Sequence, residues 1–561
     1  MNTVVHDVWQ RVWAIASPYW LREEKWKAWS QTALIVFLLL AQTRFAVLLN
    51  HQAGEFTSAL AAHDKERFWK AIYDSIALLV VTVPAYALYF YVRDRLGIHW
   101  RQWLTNHFLD RYFSNRHFYK LNSSGEIDNP DQRIVEDIDA FTQRSLYFLG
   151  ILTGSILDLV AFSAVLWSIS SILVYFLIVY AILGTMITVF VFGRVLIGLN
   201  FQQLKKEADF RFSMVRVREN AESIAFYKGE AQESNQVKRR FSAAFDNFIR
   251  LIKSQFFLNL FQYAFTMMNI VLPTAILAPK VLAGDLEIGS AVQATGAFSA
   301  VLGAVSLIVE HFEGLSRFSA GITRLSSFSA VLDAQEKSPE KAITTTIDSC
   351  LALNEITLRT PDHQRTLVEN LSLSINPGQS LMIVGESGSG KSSILRAIAG
   401  LWHSGSGSIV RPEDMLFVPQ QPYMILGTLR AQLLYAYAKR LIKDKELMKL
   451  LETVNLPDLA ERSGGLDAEL DWEKTLSIGE QQRLAFARVL LSRPKYAMLD
   501  EATSALDVAN ENTLYGLLAE TETTLVSIGH RASILKYHKQ VLELDGKGAW
   551  ALHSAEGYRF N

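Results

Sequence analysis

The chain has 561 residues, more than one hydrophobic core usually supports, so at least two domains are expected. Lys and Arg (55) almost balance Asp and Glu (56), and a net charge of -1 excludes a dedicated nucleic-acid binder, which needs a basic surface. The single cysteine, Cys350, excludes an internal disulfide and any multi-cysteine metal site.

Half of the residues are hydrophobic, with the excess upstream of Glu310, which points to a membrane domain followed by a water-soluble one. Residues 1–27 carry Trp9, Arg11, Trp13, Trp20, Arg22, Trp26 and Lys27 before any apolar run. This mixture does not fit a cleavable signal; it fits a segment lying at the cytoplasmic interface of a bilayer. Residues 28–315 are expected to hold six spans, because a helix needs about 20 mainly apolar residues to cross the hydrocarbon core. The first covers residues 28–49 and contains Arg44; the second covers 71–92, with Pro84 as a kink. Residues 145–192 have Asp158 as their only charge and suit two spans turning near Trp167-Ser168-Ile169-Ser170-Ser171. The fifth covers 254–279 and the sixth 288–309, after the acidic turn Gly284-Asp285-Leu286-Glu287.

Basic residues orient the array. Arg93, Arg95, Arg101, Arg111, Arg116, Lys120, Arg133 and Arg144 lie in one loop and Lys238-Arg239-Arg240 in another, whereas residues 284–287 have no Lys or Arg. The positive-inside rule then puts both termini and both long loops in the cytoplasm. Those loops have a helical pattern and are too long for turns, so they are expected to be helices continuing out of the bilayer. Arg44 and Asp158 either face a substrate path or lie near span ends and snorkel to the interface. Residues 316–350 turn polar and read as a linker, clearest at Gln335-Glu336-Lys337-Ser338-Pro339-Glu340-Lys341, with the soluble domain over 351–561.

In that soluble domain, Gly385-Glu386-Ser387-Gly388-Ser389-Gly390-Lys391-Ser392, followed by Ser393, stands between the apolar run Leu381-Met382-Ile383-Val384 and a helical pattern. This is a phosphate-binding loop: backbone N–H groups cradle a polyphosphate, Lys391 reaches its outer phosphates, and Ser392 can place its hydroxyl on Mg²⁺. A second apolar strand, Tyr496-Ala497-Met498-Leu499, ends in Asp500-Glu501. Asp500 is placed to hold Mg²⁺ and Glu501 to orient and polarise an attacking water. Ser477 and the backbone of Gly479 precede a helix whose positive end can face a phosphate.

Val418-Pro419-Gln420-Gln421-Pro422, Leu476-Ser477-Ile478-Gly479-Glu480-Gln481-Gln482-Arg483, Ser504-Ala505-Leu506-Asp507 and Ser527-Ile528-Gly529-His530-Arg531 complete the series. In this order and spacing the motifs resemble those of an ATP-binding cassette. The whole chain resembles an ABC half-transporter: a membrane α-helical, six-span domain of the exporter type plus an α/β P-loop ATPase domain. Asn129-Pro130-Asp131-Gln132-Arg133-Ile134, residues 219–227, Asp471-Trp472 and Ser17-Pro18-Tyr19-Trp20 resemble the branch that unites bacterial BacA/SbmA-like transporters carrying an ATPase domain with peroxisomal subfamily D transporters.

The resemblance implies that Gln420 senses Mg²⁺ and that His530 contacts the γ-phosphate of ATP. It implies that residues 504–507 cross a dimer interface, and that Ser477 and Gly479 close over ATP held by a second copy of the chain. Segments 129–134 and 219–226 become candidate coupling surfaces. The implied setting is the inner membrane of a bacterium, and the implied cargo a peptide, a cobalamin-like or another amphipathic compound. A fatty acyl cargo, or an ATP-switched regulator that moves none, is the alternative. Two departures stand out: Ile478 and Glu480 replace a glycine and a glutamine of the signature, and residues 358–362 offer no aromatic to stack on adenine, leaving Arg359 as a substitute.

Overall fold

The computed structural model describes residues 2–23, 25–124, 127, 129–310, 312–337, 343–402, 404–435 and 442–560. The chain divides into two compact units, Met1–Lys337 and Ser338–Asn561.

Among the described residues six helices of the first unit are long and apolar enough to cross a membrane. They are Lys25–Ala61, Lys65–Phe113, Ile138–Ile169, Ser171–Ile187, Glu230–Leu282 and Ile288–Glu310. The second begins at Asp64, whose carboxylate accepts from the N–H groups of Glu66 and Arg67, a cap that satisfies two orphan donors. It and the fifth run for 49 and 53 residues, well beyond the roughly 20 that a bilayer needs, so their outer parts form the expected extensions. The chain reverses between the third and fourth at Ser170, in extended conformation, inside the pentapeptide where the turn was expected.

Three expectations change. Asp158 does not sit at a span end: it lies within Ile138–Ile169 and accepts a hydrogen bond from Thr43 Oγ1 at 2.6 Å, which ties the third span to the first. The neighbouring hydroxyl satisfies the carboxylate where it stands, so it has no need to snorkel. Arg44, one position along from Thr43, is exposed. Most of the stretch read as a linker is the helix Phe312–Lys337, which buries Ile322, Leu325, Phe328 and Leu332. The spacing of these residues makes one apolar stripe, and the polar remainder of the helix is what resembles a linker. Residues 338–342 lie outside the described residues. Finally, segment 129–134 is not simply a surface. Arg133 is 5% exposed and donates to the carbonyl of Arg324 at 2.6 Å and to Ser327 Oγ at 2.8 Å, pinning that same helix. Phe226 and Tyr227, by contrast, are 77% and 88% exposed.

The second unit contains strands β1 (Ile343–Ile347), β2 (Leu351–Arg359), β3 (Thr366–Ile375), β4 (Leu381–Gly385), β5 (Gly405–Arg411) and β6 (Met415–Val418). They are followed by β7 (Gly427–Thr428), β8 (Glu469–Leu470), β9 (Tyr496–Asp500), β10 (Thr524–Ile528), β11 (Gln540–Leu544) and β12 (Trp550–Ser554). Strand β1 pairs with β5, so this unit begins upstream of Leu351. One sheet has the order β1-β5-β2-β3; the larger has β12-β11-β4-β10-β9-β6, in which only β12 runs antiparallel. Residues 381–384, 496–499 and 524–528 are buried, as a parallel sheet covered on both faces requires. Because β4, β10 and β9 are neighbours, their carboxyl ends deliver Gly385, Gly529-His530 and Asp500-Glu501 to one edge, and β6 delivers Gln420 beside them.

Candidate active site

The loop after β4 turns at Gly385, with φ +145°, where a Cβ would stand 2.5 Å from the carbonyl oxygen of Leu544. Only glycine lets the end of β4 pass β11 this closely. The loop then enters the helix Lys391–Ile398. Lys391 Nζ folds back onto it, donating to the carbonyls of Gly385 (2.7 Å) and Glu386 (2.8 Å). Burial pushes the Lys391 amine below its usual pKa, against the opposing pull of Glu501 and Asp500. Ser389 is almost fully buried, and its hydroxyl oxygen has no protein partner. Glu386, Ser387 and Gly388 form the exposed rim, with Ser392 and Ser393 half-buried behind them.

Beside this loop, Ser392 Oγ donates to Asp500 Oδ1 at 3.0 Å. Burial raises the Asp500 carboxyl above the usual range, reinforced by the charge of Glu501 and opposed by the Ser392 hydrogen bond. Glu501 adopts φ +48°, a left-handed conformation that costs an L-residue about 1–2 kcal/mol. The conformation is held by its N–H donating to Ile528 O at 3.2 Å and by its carbonyl accepting from Ser504 N at 3.0 Å. The side chain is bridged: Gln420 Nε2 donates to Oε2 at 3.0 Å, and His530 Nε2 stands 3.2 Å from Oε1.

Ser477 and Gly479 lie elsewhere. Ser477 is the N-cap of the helix Ile478–Ser492, in a capping box with Glu480. The Glu480 carboxylate accepts from the Ser477 N–H at 2.9 Å and from its hydroxyl at 2.8 Å, and pairs with Arg462. Ile478 is 55% exposed, which accommodates the bulk that replaces glycine. Among the described residues no hydrogen bond joins Ser477 or Gly479 to the cluster of the phosphate-binding loop, Gln420, Asp500, Glu501 and His530.

Arg531 and Gln482 have no role assigned by the motifs. Arg531 donates to the carbonyls of Leu506 (2.7 Å) and Ser504 (3.1 Å). Its Nη1 also lies 3.6 Å from Glu511, a carboxylate 1% exposed that accepts from Thr503 Oγ1 at 2.6 Å and from the Ser533 hydroxyl. Gln482 is legible only as a polar residue on the buried stripe Gln482, Phe486, Val489 of an otherwise apolar helix face. Near Arg359, whose carbonyl accepts from Trp402 Nε1 at 3.0 Å, the structure supplies an aromatic that residues 358–362 lack.

The family model for ABC transporter transmembrane region 2 matches residues 19–282, and that for ABC transporter matches residues 368–504. An uncharacterised ABC transporter ATP-binding protein of Synechocystis is 46% identical, over 94% of this chain and 82% of that protein. ABC transporter D family member 2, chloroplastic, of Arabidopsis thaliana is 39% identical, over 96% of this chain and 86% of its own length. The chain belongs to the ABC transporters, as a half-transporter of the subfamily D type. The human lysosomal cobalamin transporter of this subfamily is 31% identical, over 93% of each chain. As an ABC half-transporter the protein binds and hydrolyses ATP through its second unit and is a multi-pass membrane protein through its first.

Proposed function

We propose that two copies of this half-transporter pair to complete two ATP sites, and that ATP turnover there moves an amphipathic compound across the inner membrane of a bacterium with both termini cytoplasmic. The bridging of Glu501 by Gln420 and His530, next to the Ser392–Asp500 pair, is the observation that carries the reading.

Residues 385–392 would cradle the phosphates through their N–H groups, and the orphaned hydroxyl of Ser389 is one more donor inside the loop. Lys391, drawn from the carbonyls of Gly385 and Glu386, would turn to the outer phosphates. The Ser392 hydroxyl, the Asp500 carboxylate and the Gln420 amide oxygen are hard oxygen donors that fit Mg²⁺. Among the described residues no group of three or more His, Cys, Asp or Glu could hold a metal, so the rest of its shell would fall to water and the nucleotide. The ion would neutralise charge on the phosphate oxygens. Glu501, its two oxygens held apart, would accept the proton of the attacking water, and His530 would steady the transferred phosphate. Among the described residues Ser477 and Gly479 share no hydrogen bond with this cluster in their own chain, which supports their closing over the ATP of a second copy.

The positive-inside distribution supports the orientation, and the cyanobacterial relative the bacterial setting. A cleft of about 280 Å³ among the fourth, fifth and sixth spans is lined by Thr185, Asn259, Gln262, Tyr263, Phe265 and Ser306, a mixed surface suited to an amphipathic cargo. The name of the human relative adds cobalamin-like compounds to peptides as candidates. Glu501→Gln in the full-length protein in lipid should lose about a hundredfold or more of its ATPase rate while still binding ATP and dimerising. Unchanged turnover would remove Glu501 from the mechanism, and cargo uptake into vesicles separates a pump from an ATP-switched regulator.

A further inference from the structure

Gln482 lies just inside the helix that Ser477 caps and is 0% exposed. Its amide reaches two other segments. Nε2 donates to the carbonyl of Gln420 at 3.1 Å and to Ser504 Oγ at 3.1 Å, while Oε1 accepts from the N–H of Ala505 at 3.0 Å. Both amide protons and the oxygen are therefore used, so burying this polar group carries no unpaired donor. The partners matter more than their number. Gln420, held by its main chain, is the residue whose side chain donates to Glu501. Ser504 and Ala505 belong to the loop that leaves Glu501, anchored at its start by the Ser504 N–H on the Glu501 carbonyl and at its far side by Arg531.

We propose that Gln482 is a positioning residue that locks Gln420 and the 504–505 loop to the start of the Ser477 helix, so that a phosphate docking on that helix sets the placement of Glu501. The proposal rests on the reading of Glu501 as the group that activates water. Two of the three bonds go to main-chain groups, so they are independent of which side chains the loops carry. An apolar residue of the same volume would fill the space and leave the Gln420 carbonyl and the Ala505 N–H without partners. Glutamate would keep the acceptor and lose both donors, setting a charge against the Gln420 carbonyl.

The test uses the full-length protein in lipid. Gln482→Leu and Gln482→Glu should each lower kcat for ATP hydrolysis about tenfold or more while leaving KM and the Kd for a non-hydrolysable ATP analogue within about threefold, a split that loss of packing alone does not give. Ser504→Ala, at an exposed residue, removes one bond with little risk to folding and should lower kcat about two- to threefold. In a Gln420→Ala background the Gln420 branch of the lever on Glu501 is already gone and only the 504–505 branch remains, so Gln482→Leu should cost about threefold, clearly less than in the wild type. Losses that multiply in that cycle, or a Kd that rises and an unfolding temperature that drops in step with the loss of kcat, overturn the proposal. Should Glu501→Gln retain turnover, the reading of Glu501 fails by itself, while the cycle between Gln482 and Gln420 still reports whether those two act together.

Discussion

Ser392 donates its hydroxyl to Asp500 at 3.0 Å across 108 residues of sequence. Burial has already raised the Asp500 carboxyl, so protons compete for it at higher pH than for an ordinary carboxylate. The Mg²⁺ concentration that half-saturates ATP hydrolysis should therefore rise as pH falls, beginning at a higher pH than for an ordinary carboxylate site. In Asp500→Asn the Mg²⁺ requirement should be higher at every pH and lose that slope. Titrating Mg²⁺ against ATPase rate at several pH values checks both statements.

His538 supplies a stability switch in the ATPase unit. It is buried against Tyr515, with Nδ1 2.9 Å from the carbonyl of Ile534 and Nε2 2.9 Å from Ser527 Oγ. A carbonyl only accepts, so Nδ1 carries the proton and the Ser527 hydroxyl donates to Nε2. Burial pushes the pKa down to about 4, below the roughly 6.5 of an unfolded histidine. Folding then excludes a proton that the unfolded chain binds. The stability is complete above about pH 6.5 and is lost as pH falls towards 4, by about 3 kcal/mol. Thermal unfolding of the wild type and of His538→Gln at pH 7.5 and 5 should show a smaller pH dependence in the variant.

Arg133 ties segment 129–134 to the helix Phe312–Lys337 from inside the membrane unit. Arg133→Ala should destabilise that unit by about 1–3 kcal/mol, since it removes a buried side chain and the charged donor to the half-buried Arg324 carbonyl and the Ser327 hydroxyl. Both bonds leave one nitrogen, Nη1, at the end of the guanidinium, so Arg133→Lys keeps the charge but reaches less far and should recover only part of the loss. Unfolding in detergent, compared with nucleotide binding, which should hold, measures the effect.

Thr43 and Asp158 link the first and third spans, and hydrogen bonds of this kind are worth about 1 kcal/mol in a bilayer. Asp158→Asn keeps an acceptor for Thr43 and should retain wild-type stability, whereas Asp158→Ala should lose about 1 kcal/mol. If Asp158→Asn abolishes cargo-stimulated hydrolysis with stability intact, its charge serves the transport path.

The spans, the turn at Ser170 and the strands ending at Gly385 and Asp500 were legible because each is a local matter of apolar run length and flanking polarity. Cluster residues were legible as motifs, since Asp500, Glu501 and His530 stand at strand ends and Lys391 at the start of the helix after β4. The helix Phe312–Lys337 was hidden because its buried stripe is narrow and its other faces polar. Asp158, Arg133 and Gln482 were hidden for another reason. What each does depends on a partner far away in sequence, respectively Thr43, Arg324 and Gln420. Composition cannot supply that pairing.

The capping box at Ser477 has an energetic meaning for ATP closure. The Ser477 hydroxyl already donates to the Glu480 carboxylate at 2.8 Å. In a closed dimer, donating to phosphate means releasing that carboxylate, so one charged acceptor is exchanged for another and the net gain is only the difference between them. In the proposed closed dimer Glu480 would thus act as an internal rival to the nucleotide. It would keep the clasp shallow, so that it reopens readily once the γ-phosphate has gone.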